Sequence, residues 1–173
     1  MNSHCLSHCL TTTEAELFER DGYLVVENAL EPSHTEYLRT TVDRLQNDGR
    51  LSRSQIINVK GRVDHPDFLS LDQAFLDLLD HPTTFPKVWG ILGWNIYSYH
   101  SHLGVTKPID STYDPDGSTY GWHQDSVPSW RDMPELDVPA RLSLKIGYML
   151  TDTSEAGRGN FWAVPGSHRN ARL

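Results

Sequence analysis

The stretch YGWHQDSVPSW, residues 120–130, contains a histidine and an aspartate separated by one residue, His123-Gln124-Asp125. Because alternate residues of a β-strand project to the same face, an imidazole and a carboxylate at this spacing can reach one metal ion. A second histidine from elsewhere would complete the 2-His-1-carboxylate site of non-haem Fe(II) oxygenases, which leaves coordination positions open. The triplet therefore predicts part of an iron site on a strand.

The triplet is a weak signal by itself. Nine histidines and 15 aspartates among 173 residues give about 0.8 such triplets by chance. A second one, His65-Pro66-Asp67, precedes FLSLDQAFLDLLDHP, residues 68–82, which has a helical pattern. Pro66 cannot donate to a strand ladder, and Asp67 is well placed to cap a helix. We interpret this second triplet as a helix start rather than a metal pair.

The composition is typical of a folded protein of one domain, with 38% apolar and 22% charged residues. The net charge of -8 argues against a nucleic-acid partner, whose phosphates need Lys and Arg. No apolar run approaches the roughly 18 residues of a membrane span. The first residues lack the charged region and the long apolar core of a signal peptide. We therefore expect a cytoplasmic protein with no membrane partner.

Helical patterns precede strand patterns along the chain. Residues 14–22 predict a helix capped by a threonine and closed by Gly22, and a second helix begins at Pro32 and ends near residues 47–49. A strand is predicted between these helices at residues 22–30, and further strands are predicted at 55–59, 95–106, 122–125, 141–151 and 159–168. This order predicts an α+β chain whose second half is a β-sandwich or barrel.

Several motifs, in this order, resemble the phytanoyl-CoA dioxygenase family. They are DGYLVVENALEP (21–32), LGVTKP (103–108), WHQD (122–125) and LKIGYMLTDTSEAGRGNFWAVPGSHR (144–169), which ends in a Pro-Gly-Ser-His turn. The resemblance implies a double-stranded β-helix, a cupin-like jelly roll, with N-terminal helices. It also implies a tail at residues 1–13 and the N-terminal portion of the domain at residues 14–173, so the jelly roll is expected to be incomplete at its C-terminus.

The resemblance implies an Fe(II)- and 2-oxoglutarate-dependent dioxygenase. His123 and Asp125 match the first two iron ligands of the family. Tyr148 matches an aromatic residue beside 2-oxoglutarate, and Leu103 matches an apolar contact to it. In this reaction 2-oxoglutarate becomes succinate and CO2, while one atom of O2 enters an unactivated C–H bond. The expected partners are therefore O2 and a small-molecule substrate.

The resemblance stops before two functional residues of the family. Its second iron-binding histidine, and an arginine that pairs with the far carboxylate of 2-oxoglutarate, follow the Pro-Gly-Ser-His turn by several tens of residues, whereas this sequence ends at Leu173. The alternatives are a fragment of an active enzyme, a truncated inactive jelly roll with a binding or structural role, and a cupin-like enzyme with another metal and no 2-oxo acid. His168 is a possible third ligand, although the family's turn histidine binds no iron.

Two other sets of side chains lie near these motifs. His100 and His102 share one face of a predicted strand and can pair on a metal, although histidines in sheets more often form ordinary hydrogen bonds. Trp122 and Trp130 flank the metal motif, where they line either a substrate pocket or the core.

Overall fold

The computed structural model describes residues 3–51, 57–59, 62–106, 122–124 and 141–169. The helices in these stretches are α1 (Ser3–Leu6), α2 (Thr12–Asp21), α3 (Pro32–Asn47), α4 (Gln73–Leu76) and α5 (Phe85–Leu92). The strands are β1 (Ile57–Val59), β2 (Arg62–Pro66) and β3 (His102–Thr106), and short 3-10 helices cover Phe68–Leu71 and Ser167–Arg169. None of these helices is long and apolar enough to cross a membrane.

Helix α2 is fixed at both ends by its own sequence. The Thr11 hydroxyl accepts a hydrogen bond from the Glu14 amide, and the Glu14 carboxylate accepts one from the Thr11 amide, which forms a capping box. At the other end Gly22 has φ 84° and donates its amide to the Phe18 carbonyl. A left-handed residue at this place favours glycine. The predicted helix and both of its caps are confirmed.

The hydrophobic core forms where one face of α3 meets α4. Helix α3 begins at Pro32 and ends at Asn47, as predicted. Its buried side chains recur at helical spacing and pack with those of the segment around α4, in a cluster made of Leu38, Val42, Leu45, Leu51, Ala74, Phe75 and Leu78. Leu103 and Val105 of β3, together with Tyr148 and Leu150, pack against this cluster. The core therefore joins the helices to the sheet and to the segment 141–150.

The three strands form one antiparallel sheet in the order β1-β2-β3. His65 pairs with Leu103 and is buried, and Asp67 follows β2 at the start of a 3-10 helix, as predicted. The predicted capping role of Asp67 is wrong, because its side chain makes no cap hydrogen bond. The cap is instead Asp72, whose carboxylate accepts a hydrogen bond from the Ala74 amide at 3.0 Å. The extended backbone of Asp72 also divides the single helix predicted at 68–82 into two short ones.

Several predicted strands are shorter or absent. The segment 95–106 forms a strand only at β3, and the described part of 55–59 is β1. Residues 22–30, 122–124, 141–151 and 159–168 contain no strand, and large side chains in them lie open to solvent, such as Val25 at 71% and Phe161 at 77% exposure. A strand requires a neighbouring strand for its ladder of backbone hydrogen bonds, and no such ladder joins these segments to another among the described residues. The domain boundary at residue 14 stays a prediction.

We expect Leu45→Ala to lower the free energy of unfolding by about 2–5 kcal/mol, because it leaves a cavity at a fully buried position of the core. Leu6→Ala is the matched control, since Leu6 is 62% exposed and its loss is expected to cost less than about 0.5 kcal/mol. Chemical denaturation of both variants measures the difference. Equal losses would show that the α3–α4 cluster is not the stabilising core.

Candidate functional site

The described part of the metal motif is residues 122–124. The His123 side chain is exposed, and Trp122 is 57% exposed, which places its indole at the surface rather than in the core. Gln124 is half-buried and donates its Nε2 to the Ser167 carbonyl at 2.7 Å. Asp125 lies outside the described residues, as does Trp130, so the pairing of His123 with Asp125 stays a prediction.

The Pro-Gly-Ser-His segment is a tight turn, as predicted. Ser167 donates its amide to the Val164 carbonyl at 3.1 Å, and Gly166 has φ 78°. Proline followed by a residue of positive φ is the pattern of a type II turn, in which glycine is favoured at the second central position. A 3-10 helix, Ser167–Arg169, continues from the turn. We call residues 164–169 the docking turn.

The docking turn lies against the C-terminal end of helix α2. Gly166 donates its amide to the Asp21 carbonyl at 2.9 Å. The Glu19 carbonyl accepts hydrogen bonds from Arg169, with an Nε–O distance of 3.1 Å, and from His168 Nε2, also at 3.1 Å. The last carbonyls of a helix have no partner within the helix, so side chains and loops that satisfy them stabilise its end.

The His168 ring packs directly on Gly22. A Cβ atom built on Gly22 would overlap the ring at Nδ1. Nδ1 is buried and has no hydrogen-bond partner among the described residues, while Nε2 donates to the Glu19 carbonyl. Both ring nitrogens therefore face the end of α2. This contact favours the interpretation of His168 as a turn residue rather than an iron ligand.

Cationic side chains gather at this helix end. Arg20 donates to Asp21 through Nε at 2.8 Å and through Nη2 at 2.6 Å. The hydrogen bond from Arg20 is the largest influence on the Asp21 carboxyl and lowers its pKa. The charges of His168 and Arg169 add smaller effects in the same direction. Cations near the C-terminus of a helix also interact favourably with its dipole.

The Tyr148 side chain is held by protein groups. Its hydroxyl lies 2.6 Å from Thr84 Oγ1 and 3.3 Å from the Leu78 carbonyl, and its ring packs against the core. Burial raises the pKa of Tyr148, and the hydrogen bond with Thr84, which lowers it, is the smaller effect. Leu103 is half-buried on β3 and packs against the same core. Contact of either residue with 2-oxoglutarate stays a prediction.

A lysine that the sequence patterns did not single out connects two of the predicted segments. Lys145 Nζ lies 2.5 Å from both Tyr99 Oη and His100 Nε2, and 4.5 Å from the centre of the Tyr99 ring. The rings of His100 and His102 meet edge to face, with centroids 4.8 Å apart. The hydrogen-bonding interpretation is confirmed for His100. No group of three or more His, Cys, Asp or Glu side chains suited to a metal occurs within the described stretches.

Comparison with known proteins shows which curated proteins this chain is similar to. Ectoine dioxygenases of Bordetella parapertussis, Nocardia farcinica and Stutzerimonas stutzeri are 24%, 28% and 27% identical to this chain over 164, 156 and 165 residues. These matches cover 92%, 88% and 90% of the chain and 50%, 49% and 49% of the relatives. The chain thus spans about half the length of the curated relatives it matches. No solved structure matches it significantly.

The family follows from a match over most of the chain. The family profile described as Phytanoyl-CoA dioxygenase (PhyH) covers residues 18–172. The chain therefore belongs to the phytanoyl-CoA dioxygenase family, and the resemblance inferred from the motifs is confirmed. Membership implies a cupin-like jelly-roll fold. The helices and the small antiparallel sheet of the described residues neither confirm nor contradict the jelly roll.

We expect Gly22→Ala to destabilise the protein more than Gly49→Ala. Both glycines have positive φ, 84° and 68°, so each substitution carries a backbone cost of roughly 1–2 kcal/mol. Only the first places a methyl group against His168, since nothing lies within 4 Å of a Cβ on Gly49. Chemical denaturation of the two variants isolates the contact. Equal destabilisation would show that the docking turn is not seated on Gly22.

We expect Tyr148→Phe to lower the free energy of unfolding by about 1 kcal/mol near pH 8, through loss of the bond to Thr84. The pKa of Tyr148 is higher in the folded state than in the unfolded state. The buried neutral phenol therefore contributes stability below the unfolded pKa near 10, and this contribution is lost as pH rises above that value. The alkaline loss of stability should therefore be smaller in this variant than in the wild type. Tyr97→Phe, at an 84% exposed tyrosine, is the control. Identical alkaline profiles would contradict the burial argument.

Proposed function

We propose that this chain carries the first part of the active site of an Fe(II)- and 2-oxoglutarate-dependent dioxygenase that hydroxylates a small organic substrate at an unactivated C–H bond. The observation that carries the proposal is the family match over residues 18–172, because it includes the His123-Gln124-Asp125 motif. The dioxygenase names of the relatives support the same reaction class.

His123 and Asp125 are the proposed iron ligands. The chemistry of this donor pair suits Fe(II), which is bound by two imidazoles and one carboxylate in enzymes of this type. The exposed position of His123 also fits, because its imidazole is not packed into the core. The bound iron supplies the activation of O2, and the protein supplies the ligands, their orientation and the surrounding pocket.

Tyr148 and Leu103 are the proposed contacts to 2-oxoglutarate. Since burial raises the pKa of Tyr148, its phenol is neutral near pH 7 and presents no negative charge to the dianionic cosubstrate. The bond with Thr84 restricts the hydroxyl, which favours a fixed position for the ring. Leu103 offers an apolar surface that excludes water, and it shares the core contact of Tyr148.

Ectoine is the first substrate to assay, because the matched relatives are named for it. The identities of 24–28% support the reaction class more strongly than the substrate. A panel that also contains fatty acyl-CoA and amino-acid derivatives therefore gives a better test, with succinate formation measured for each compound. Succinate that depends on one added compound identifies the substrate class.

In the intact protein, we expect His123→Ala and Asp125→Ala to lower substrate-dependent succinate formation more than about 100-fold, which exceeds the usual effect of losing an outer-sphere partner of a metal. His168→Ala should keep most of the activity, because its ring faces helix α2. Iron content and succinate are measured for all three variants. Equal loss of iron would make His168 the third ligand. A wild-type protein with neither iron nor turnover would favour the inactive jelly roll.

A further inference from the structure

The metal motif and the N-terminal helix α2 are connected through the docking turn. The Gln124 amide donates to the Ser167 carbonyl at 2.7 Å. The next residues of the turn bind the end of α2, where His168 and Arg169 meet the Glu19 carbonyl. Three parts of the chain that are far apart in sequence thus share one set of polar contacts, and the middle residue of the His-Gln-Asp triplet belongs to it.

We propose that Gln124 is a positioning residue that holds the neighbouring ligand His123 in place by anchoring the segment 122–124 to the docking turn. The proposal rests on His123 and Asp125 being the iron ligands. Residues 123 and 124 are adjacent, so a hydrogen bond that fixes the Gln124 side chain also limits the positions open to the His123 backbone. With the Gln124 amide held on the turn, the His123 imidazole is therefore restricted to fewer positions from which it can reach a metal ion.

The chemistry of the contact requires an amide at position 124. The Ser167 carbonyl only accepts hydrogen bonds, and the Gln124 side chain supplies an N–H donor. A glutamate of the same length would place a carboxylate against a carbonyl oxygen. A methionine would keep the length and the apolar stem but would leave the half-buried carbonyl without its donor. Gln124→Met is therefore the closest substitution that removes only the hydrogen bond.

The turn is a suitable anchor because it is itself fixed. Gly166 donates to the Asp21 carbonyl at 2.9 Å, and Arg169 donates to the Glu19 carbonyl at 3.1 Å. Helix α2 is fixed in turn at its N-terminal end, where the Glu14 carboxylate lies 2.6 Å from Lys87 Nζ of α5. A displacement of the turn therefore requires that several hydrogen bonds break, whereas an isolated side-chain contact would yield to thermal motion.

Binding of Co(II), a spectroscopic substitute for Fe(II), tests the proposal in the intact protein. We expect Gln124→Met to weaken Co(II) binding roughly 10-fold and to change the visible absorption of the bound ion, because its ligands lose their orientation. Gln73→Met is the matched control, since it removes an exposed hydrogen bond of 2.6 Å from Gln73 of α4 to Asp77, the residue after that helix. It should leave Co(II) affinity unchanged within about twofold. Circular dichroism confirms that each variant is folded during the titration.

A double-mutant cycle separates positioning from general stability. Arg169→Met removes a hydrogen bond between the docking turn and α2. The effects of Arg169→Met and Gln124→Met on Co(II) affinity should therefore not be additive. Unchanged affinity and spectrum in Gln124→Met, with His123→Ala still abolishing binding, would overturn the positioning role and leave the proposed function intact. A wild-type protein that binds no Co(II) would instead overturn the proposed function, and with it the positioning of a metal ligand.

Discussion

The carbonyl groups at the C-terminal end of helix α2 hold the docking turn, which in turn binds the described part of the metal motif. Every helix ends with carbonyls that lack a partner within the helix. Here the Asp21 and Glu19 carbonyls accept hydrogen bonds from the docking turn, and Gly22 leaves room for the His168 ring beside them. The Ser167 carbonyl of the docking turn accepts a hydrogen bond from the Gln124 side-chain amide. The segment 122–124, which carries the proposed ligand His123, is therefore connected through the turn to the end of one helix.

A half-buried ion pair fixes the opposite end of the same helix. Glu14 closes the capping box of α2 and also meets Lys87, whose side chain is 11% exposed. Burial raises the pKa of Glu14, but the hydrogen bonds from Lys87 and Thr11 together outweigh it, and the net pKa is lowered. Removal of either charge would leave its partner poorly solvated, which is costly in a protein interior. Helix α2 can therefore serve as a fixed support for the turn.

The sequence predicts the local features of this fold better than the distant ones. The caps of α2, the bounds of α3 and the Pro-Gly turn follow from side chains and backbone preferences within a few residues, and the structure confirms them. The strands at 22–30 and 141–151 do not form among the described residues, because alternation marks a face but not a pairing partner. Residues 68–82 divide at Asp72, whose carboxylate satisfies a backbone amide more locally than a continuous helix would.

The same distinction applies to the candidate site. His123 was proposed as a ligand from its spacing to Asp125 and from the surrounding motif, and this role stays a prediction. The contacts of Gln124 with Ser167 and of Lys145 with His100 join residues 43 and 45 positions apart. No periodic pattern reports such contacts. The link between Gln124 and Ser167 also changes what the two family motifs mean. The Pro-Gly-Ser-His turn binds the segment that carries the proposed ligand His123, so in our proposal the turn supports that segment, while the histidine and the aspartate supply the metal chemistry.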